Sequence, residues 1–122
     1  MTIDKAKALL EQDEIQQAQE LLLSIVHDDN SNAGAILLLC GISTRTKNWA
    51  LGADSFEHLV NLRPKSGLAS SGLVQSYFNL GRYDDALKEI ERFKANADTE
   101  SAEAKAVLSE HQKVIDEIQG KR

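Results

Sequence analysis

The sequence predicts an all-α domain built as a stack of three antiparallel helix pairs closed by one further helix, seven helices in all. Four positions hold large, small, large and large side chains at a step of 34 residues, and a fixed period of this length indicates stacked repeats. These positions are Ile15, Ala18, Leu22 and Ile25, then Trp49, Gly52, Phe56 and Leu59, then Tyr83, Ala86, Ile90 and Phe93. Helix-forming residues also dominate between the breaks, because the 122 residues include only one proline and seven glycines.

The first predicted helix pair consists of a short helix and a longer one that ends at a polar run. Apolar residues spaced by three and four begin at Ile3 and predict a helix that ends near Gln12. A second such stripe begins at Glu14, and Asp13 is placed to cap the helix it predicts. The polar run 27–32 ends this helix, since short polar side chains compete for backbone hydrogen bonds.

The second predicted pair lies in the middle of the chain. Residues 32–46 predict a helix that is apolar nearly all round, which indicates that it is covered on several sides. Residues 48–62 predict its partner. Pro64 ends that partner, because the residue before a proline is pushed out of the helical region.

The third predicted pair consists of residues 66–80 and 83–96. Gly81 stands where a left-handed residue is expected at a helix C-terminus. The side of the fifth helix that is predicted to pack carries Leu73, Val74, Tyr77 and Leu80.

The seventh helix is predicted over residues 100–119. It has a single apolar stripe, with Glu103 among the polar residues that face away. One apolar side predicts packing on one neighbour, as expected of a helix that closes a stacked array with a polar outer face.

Small residues explain why the period is kept. Ala18, Gly52 and Ala86 recur where the two helices of each pair are expected to cross closely. The stretch 67–72 contains two further glycines, but it lacks the Gly-Lys-Ser/Thr ending and the preceding strand of a phosphate loop. These two glycines are therefore predicted to permit close helix packing.

The third pair resembles the consensus of the tetratricopeptide repeat. The residues that carry this resemblance are Leu73, Tyr77, Leu80, Gly81, Tyr83, Ala86, Ile90 and Phe93. The resemblance divides a single domain 1–122 into a weak first repeat 1–32, a second repeat 33–66, a third repeat 67–98 and a capping helix 99–119. The second repeat departs from the consensus at Ile36 and Ser43, where the family usually has Trp and Tyr. The resemblance implies a right-handed superhelix of antiparallel helix pairs whose first helices line a concave groove.

In this family the groove usually holds a peptide or protein segment. The resemblance therefore implies a protein-interaction module, an adaptor or chaperone-like scaffold with no chemistry of its own. The repeat register places the candidate groove residues at Leu37, Gly41, Thr44, Arg45, Leu68, Ser71, Gln75, Phe78 and Asn79. The apolar members provide anchors and the polar members orient a partner's backbone. At this stage it stays open whether the superhelix buries these residues as core instead.

One familiar binding mode of this family is a clamp of Lys and Asn side chains on the C-terminal carboxylate of heat-shock chaperones. The register gives its positions to Ile3, Lys7, Leu38, Leu68 and Gly72. Only Lys7 has a suitable group, and without several donors a carboxylate gains little over water. The sequence therefore predicts no appreciable binding of short acidic C-terminal peptides.

A second function stays open, namely structural assembly. The weak first repeat carries Ile3, Leu9 and Leu10, whose apolar side chains are candidates for pairing with a second copy in a homodimer.

Composition and charge weigh against several other classes of protein. The net charge is −5, and no basic stripe is present to neutralise the phosphates of a nucleic acid. His27, His58 and His111 lie in separate segments without metal-site spacing to Cys40, so no metal, cofactor or catalytic role is expected. The longest apolar run is too short to span a bilayer. The lone cysteine and the polar N-terminus predict a cytoplasmic protein. The last predicted helix ends close to the end of the sequence, and we expect a complete protein.

Overall fold

The computed structural model describes residues 2–121, and over these residues it consists of seven α-helices packed in chain order. The helices are α1 (Ile3–Glu11), α2 (Ile15–Asp28), α3 (Ala33–Thr46), α4 (Trp49–Leu62), α5 (Gly67–Asn79), α6 (Tyr83–Asn96) and α7 (Ala102–Lys121). Each of the first six helices packs on the next, and α7 packs on both α5 and α6. The predicted all-α fold of three helix pairs and a terminal helix is confirmed. We propose that the repeats divide after residues 32, 66 and 98. Met1 and Arg122, the ends of the predicted domain, lie outside the described residues.

Side-chain caps fix where several helices begin. The side chains of Asn32, Asn48 and Ser66 each accept a hydrogen bond of 3.1 Å from the backbone N–H three residues later. Ser101 caps α7 in the same way, so that helix begins at Ala102 and not at residue 100 as predicted. The caps satisfy backbone donors that a helix leaves unpaired at its first turn.

The turn inside each helix pair has the same backbone conformation. Asp13, Lys47 and Gly81 have φ angles of 61°, 55° and 75°, and they follow one another at the 34-residue step. The predicted role of Asp13 as the cap of α2 is wrong, because it occupies this left-handed turn and Glu14 takes the cap position without a side-chain hydrogen bond. A left-handed residue at this place reverses the chain between the two helices.

The small residues at the repeat step lie at close helix crossings. Ala18 and Ala86 are fully buried. At Gly52, a Cβ atom would lie 2.5 Å from Ser76 Oγ of α5. A larger side chain at these positions would meet filled space. At Gly52 the closest approach is to α5 of the next pair, whereas Ser43 Oγ of its own partner α3 lies at 3.3 Å, so the prediction of a crossing within the pair is incomplete there.

We expect Ala86→Leu to lower the free energy of unfolding by about 1 to 3 kcal/mol, the usual cost of adding methylenes to a packed site. Urea unfolding measures this change. Ala95→Leu is the control, because Ala95 is exposed on the same helix. Equal urea midpoints for the two variants would contradict the close crossing at Ala86.

The end of the stack differs from the prediction in three details. Leu80 is 40% exposed because α5 ends at Asn79, so it does not belong to the packing side. Glu103 does not simply face away from the protein, since its Oε1 accepts a hydrogen bond of 3.2 Å from the backbone N–H of Gly67. The single apolar side of α7 packs on two helices and not on one. The terminal helix is therefore held by α5 and α6 together.

Candidate functional site

A groove lies between α3 and α5, with residues of α4 at its floor. It consists of two adjoining cavities, which we name by the helix that contributes most of each wall. The α3 compartment, of about 410 Å³, is lined by Leu37, Cys40, Gly41, Thr44, Arg45, Phe56 and Leu68. The α5 compartment, of about 320 Å³, is lined by Thr44, Trp49, Phe56, Leu68, Ser71, Gly72 and Gln75. Thr44, Phe56 and Leu68 line both compartments, which makes the groove continuous.

Seven of the nine candidate groove residues line this groove. They are Leu37, Gly41, Thr44 and Arg45 of α3 and Leu68, Ser71 and Gln75 of α5. Leu68 is the most exposed large apolar side chain of the described residues, at 64%. The question that the sequence left open is thereby answered for Leu68, which is not core.

Phe78 and Asn79 line neither compartment. The ring of Phe78 is half-buried, with its centroid 5.5 Å from that of Tyr83 and 6.0 Å from Lys121 Nζ. The Asn79 side chain donates to the backbone carbonyl of Gln75 at 2.8 Å. The end of α7 and the start of α6 thus engage this part of α5. We expect Phe78→Ala to destabilise the fold as well as to change the surface. Leu68 is therefore the better residue for testing the groove.

Arg45 stands at one edge of the α3 compartment. Its Nη2 lies 2.8 Å from Asp13 Oδ1, and the two side chains are 57% and 75% exposed. An ion pair this exposed stabilises a protein by about 0 to 1 kcal/mol, so a partner's carboxylate can displace Asp13 at small cost. Thr44 is less available, because its hydroxyl donates to the carbonyl of Cys40 at 3.1 Å.

The sequence did not place three of the lining residues on the groove, namely Cys40, Trp49 and Phe56, and it placed Gly72 there only as a clamp position. Phe56 is reached from the groove because Gly72 has no side chain to cover its ring. A signal for the two walls was nevertheless present in the sequence. Helices α3 and α5 together contain a single charged residue, Arg45, whereas α6 alone contains seven, in a chain that is 27% charged. Low charge is typical of helices that are covered on several sides, and both α3 and α5 bury many of their residues.

The thiol of Cys40 is a packing group in this setting. Burial raises the pKa of Cys40 to about 12, so the thiol is protonated at neutral pH and lacks the thiolate that acts as a nucleophile. Among residues 2–121 no three His, Cys, Asp or Glu side chains come together as a metal site would require.

A Ser–His contact lies away from the groove, between α5 and α7. Ser70 Oγ is 3.0 Å from His111 Nε2, and the His111 ring meets the ring of Phe93 edge-on at 5.7 Å. Ser70 is fully buried and His111 is 2% exposed, so no substrate reaches the hydroxyl. Burial lowers the pKa of His111 from its ordinary value, although the nearby Glu89 carboxylate opposes this shift. The pair therefore joins α7 to α5 as a packing contact.

Helix pairs stacked in sequence, with the first helices of successive pairs lining a groove, define a helical repeat domain. No protein-family model and no curated protein sequence matches the chain. Among the described helices, none combines the length and the apolar character that crossing a bilayer demands.

Solved structures with the same fold are tetratricopeptide-repeat domains. The first such domain of Spaghetti (RPAP3), bound to the HSP90 peptide SRMEEVD, is 19% identical with a TM-score of 0.63, over 92% of this chain and 88% of that one. The first such domain of human RPAP3 is 18% identical with a TM-score of 0.65, over 98% and 94%. The Sgt2 domain from Aspergillus fumigatus is 18% identical with a TM-score of 0.63, over 95% and 78%. This chain therefore has the tetratricopeptide-repeat fold.

Proposed function

We propose that this protein is an interaction module, an adaptor or chaperone-like scaffold that holds a peptide or protein segment in the groove between α3 and α5. The observation that supports this most directly is Leu68, a leucine 64% exposed between two compartments whose walls are largely apolar. An exposed apolar side chain beside apolar cavities gains free energy when a partner covers it. The similar domain of Spaghetti, solved with a peptide bound, is consistent with this use of the fold.

Leu68→Arg tests the groove. We expect the change to weaken capture of the native partner at least about tenfold, because it puts a charge at the centre of an apolar contact surface. The measurement is an affinity pull-down from the native cell extract, followed by titration of the captured protein against each variant.

Leu62→Arg is the matched control, since Leu62 is an exposed leucine outside both compartments. Both substitutions lie at the surface, so the thermal midpoints should stay within a few degrees of each other. Partners that bind equally well to both variants would show that the groove is not the contact surface.

The peptide SRMEEVD provides a second test. The positions that would supply a clamp on its C-terminal carboxylate hold Ile3, Lys7, Leu38, Leu68 and Gly72. Lys7 is exposed, but Gly72 lies over the ring of Phe56 and brings no donor. We expect calorimetry to show no binding of SRMEEVD at peptide concentrations of order 100 μM. A dissociation constant of order 1 μM, about 8 kcal/mol of binding free energy, would overturn this prediction.

The alternative function, assembly into a homodimer through the first repeat, has less support. Ile3, Leu9 and Leu10 are half-buried against the helices that follow, and Leu23 is the one large apolar side chain counted as exposed in α1 and α2. Light scattering at micromolar concentration decides between the two functions. A stable dimer that disappears when Ile3, Leu9 and Leu10 are made polar, with no loss of helicity, would favour assembly.

We place this function in the cytoplasm and without nucleic acid. Cys40 is the only cysteine of the chain, so it has no intramolecular disulfide partner, as is usual in a reducing compartment. The net charge of −5 opposes binding to a phosphate backbone.

A further inference from the structure

The walls of the groove are almost free of charge. Helix α5 contains no charged residue between Gly67 and Asn79, and α3 contains only Arg45. The α4 residues at the floor of the groove are Trp49 and Phe56. Arg45 is therefore the one charged residue that lines the groove, and it lies at one edge.

A cationic side chain in either compartment, or an anionic one in the α5 compartment, would lose water without gaining a partner of opposite charge. The α5 compartment offers only uncharged hydroxyl and amide groups, from Thr44, Ser71 and Gln75. The α3 compartment offers the guanidinium of Arg45, which repels a second cation. Burying an unpaired charge is strongly unfavourable, whereas burying an apolar group is favourable. The compartments therefore select against charged side chains other than a carboxylate that reaches Arg45.

The position of Arg45 adds a preference for one sign of charge. A single one of its nitrogens contacts Asp13 in the described structure, and a guanidinium has five N–H donors. A carboxylate from a partner can therefore bind Arg45 beside Asp13 or in its place. No carboxylate lines either compartment, so a lysine or arginine of the partner would find no comparable ion-pair partner there.

We propose that the groove takes a segment with two large uncharged apolar side chains, one in each compartment on either side of Leu68, and an acidic residue that reaches Arg45. This inference rests on the proposed function and specifies the chemistry of the partner. It distinguishes the segment from an acidic C-terminal peptide, whose carboxylates outnumber its apolar anchors. Asp13 competes with the partner for Arg45, so it lowers the affinity of the free groove.

The test is a selection of random dodecapeptides, displayed on phage, against the wild-type protein. Clones that also bind the Leu68→Arg protein are removed. We expect the surviving peptides to carry pairs of Leu, Ile, Met, Phe or Trp together with Asp or Glu, and to be poor in Lys and Arg. Synthetic peptides are then titrated against the wild-type, Arg45→Gln and Asp13→Asn proteins.

Arg45→Gln should weaken these peptides by about threefold to tenfold, and the loss should vanish when the acidic residue of the peptide is replaced by its amide. Asp13→Asn should tighten binding by up to about fivefold, the range that corresponds to an exposed ion pair. Both changed side chains are more than half exposed, so the fold is retained, and circular dichroism verifies this.

The outcomes separate the two proposals. Selected peptides that depend on Leu68 but are basic, or lack apolar pairs, would overturn this inference and leave the proposed function standing. If Arg45→Gln weakens the binding of a peptide and of its amide variant equally, the proposed role of Arg45 is overturned. If no selected peptide depends on Leu68, the proposed function fails and the inference fails with it.

Discussion

Gly72→Ala should lower the free energy of unfolding by about 3 kcal/mol, at the upper end of the usual cost of overpacking. A Cβ atom at this position would overlap three ring carbons of Phe56. The ring is buried and belongs to the main core of the protein, so it can make room only by leaving its packing and moving toward the groove. The methyl group therefore forces α5 and α4 apart or moves the ring from its rotamer.

Gly41→Ala is the matched control, because the same substitution is made on the opposite wall of the groove. Nothing lies within 4 Å of a Cβ atom there, and Gly41 is exposed in the interior of α3. Replacing a helical glycine by alanine at such a site stabilises by about 0.5 to 1 kcal/mol. Urea unfolding of both variants gives the two changes, which should have opposite signs. A stabilising Gly72→Ala would show that α5 does not approach α4 as closely as described.

The stability of the protein should fall with acidification below about pH 6.5, and His111 should account for much of this fall. Burial lowers the pKa of His111 in the folded protein, whereas in the unfolded chain the ring titrates near its ordinary value of about 6.5. Above that pH neither state binds the proton, so the stability is fully present. As the pH falls below this value, the unfolded chain binds a proton that the folded protein does not bind, and the free energy of unfolding decreases. The loss stops once the pH is below the folded pKa.

The groups around His111 define the controls. Ser70 faces it from α5, Glu89 and Phe93 from α6, and Glu110 belongs to its own helix. One proton changes the free energy of unfolding by at most about 1.4 kcal/mol per pH unit. We expect urea midpoints measured from pH 7.5 to 5.0 to fall less steeply for His111→Gln than for the wild type. His27→Gln is the control for removing a histidine elsewhere in the chain, since His27 is exposed near the end of α2. Parallel slopes for all three proteins would show that His111 is not the responsible group.

Two residues that the repeat pattern predicts to have the same role in the groove differ in the structure. Leu68 and Phe78 were both predicted as apolar anchors from the same register, yet Leu68 projects into the groove and Phe78 lies against Tyr83 and near Lys121. The difference arises because Phe78 lies near the end of α5 against Tyr83 of α6, and because α7 continues to Lys121, two residues beyond its predicted end. Where a terminal helix stops is weakly encoded by local pattern, since helix ends fray and few contacts define them.

Local spacing was enough to determine the helices and the way they pair. The step of 34 residues placed the small residues Ala18, Gly52 and Ala86, and it also relates the left-handed turns at Asp13, Lys47 and Gly81. Such features follow from the sequence because each depends on residues close in the chain, with periods set by helix geometry and turn conformation. Only the tertiary structure decided that Phe56 forms the floor of the groove, that Asp13 pairs with Arg45 and that Glu103 reaches back to Gly67. These contacts join residues from 16 to 36 positions apart, and they depend on the distances and angles between whole helices, which side-chain packing sets and no local pattern specifies.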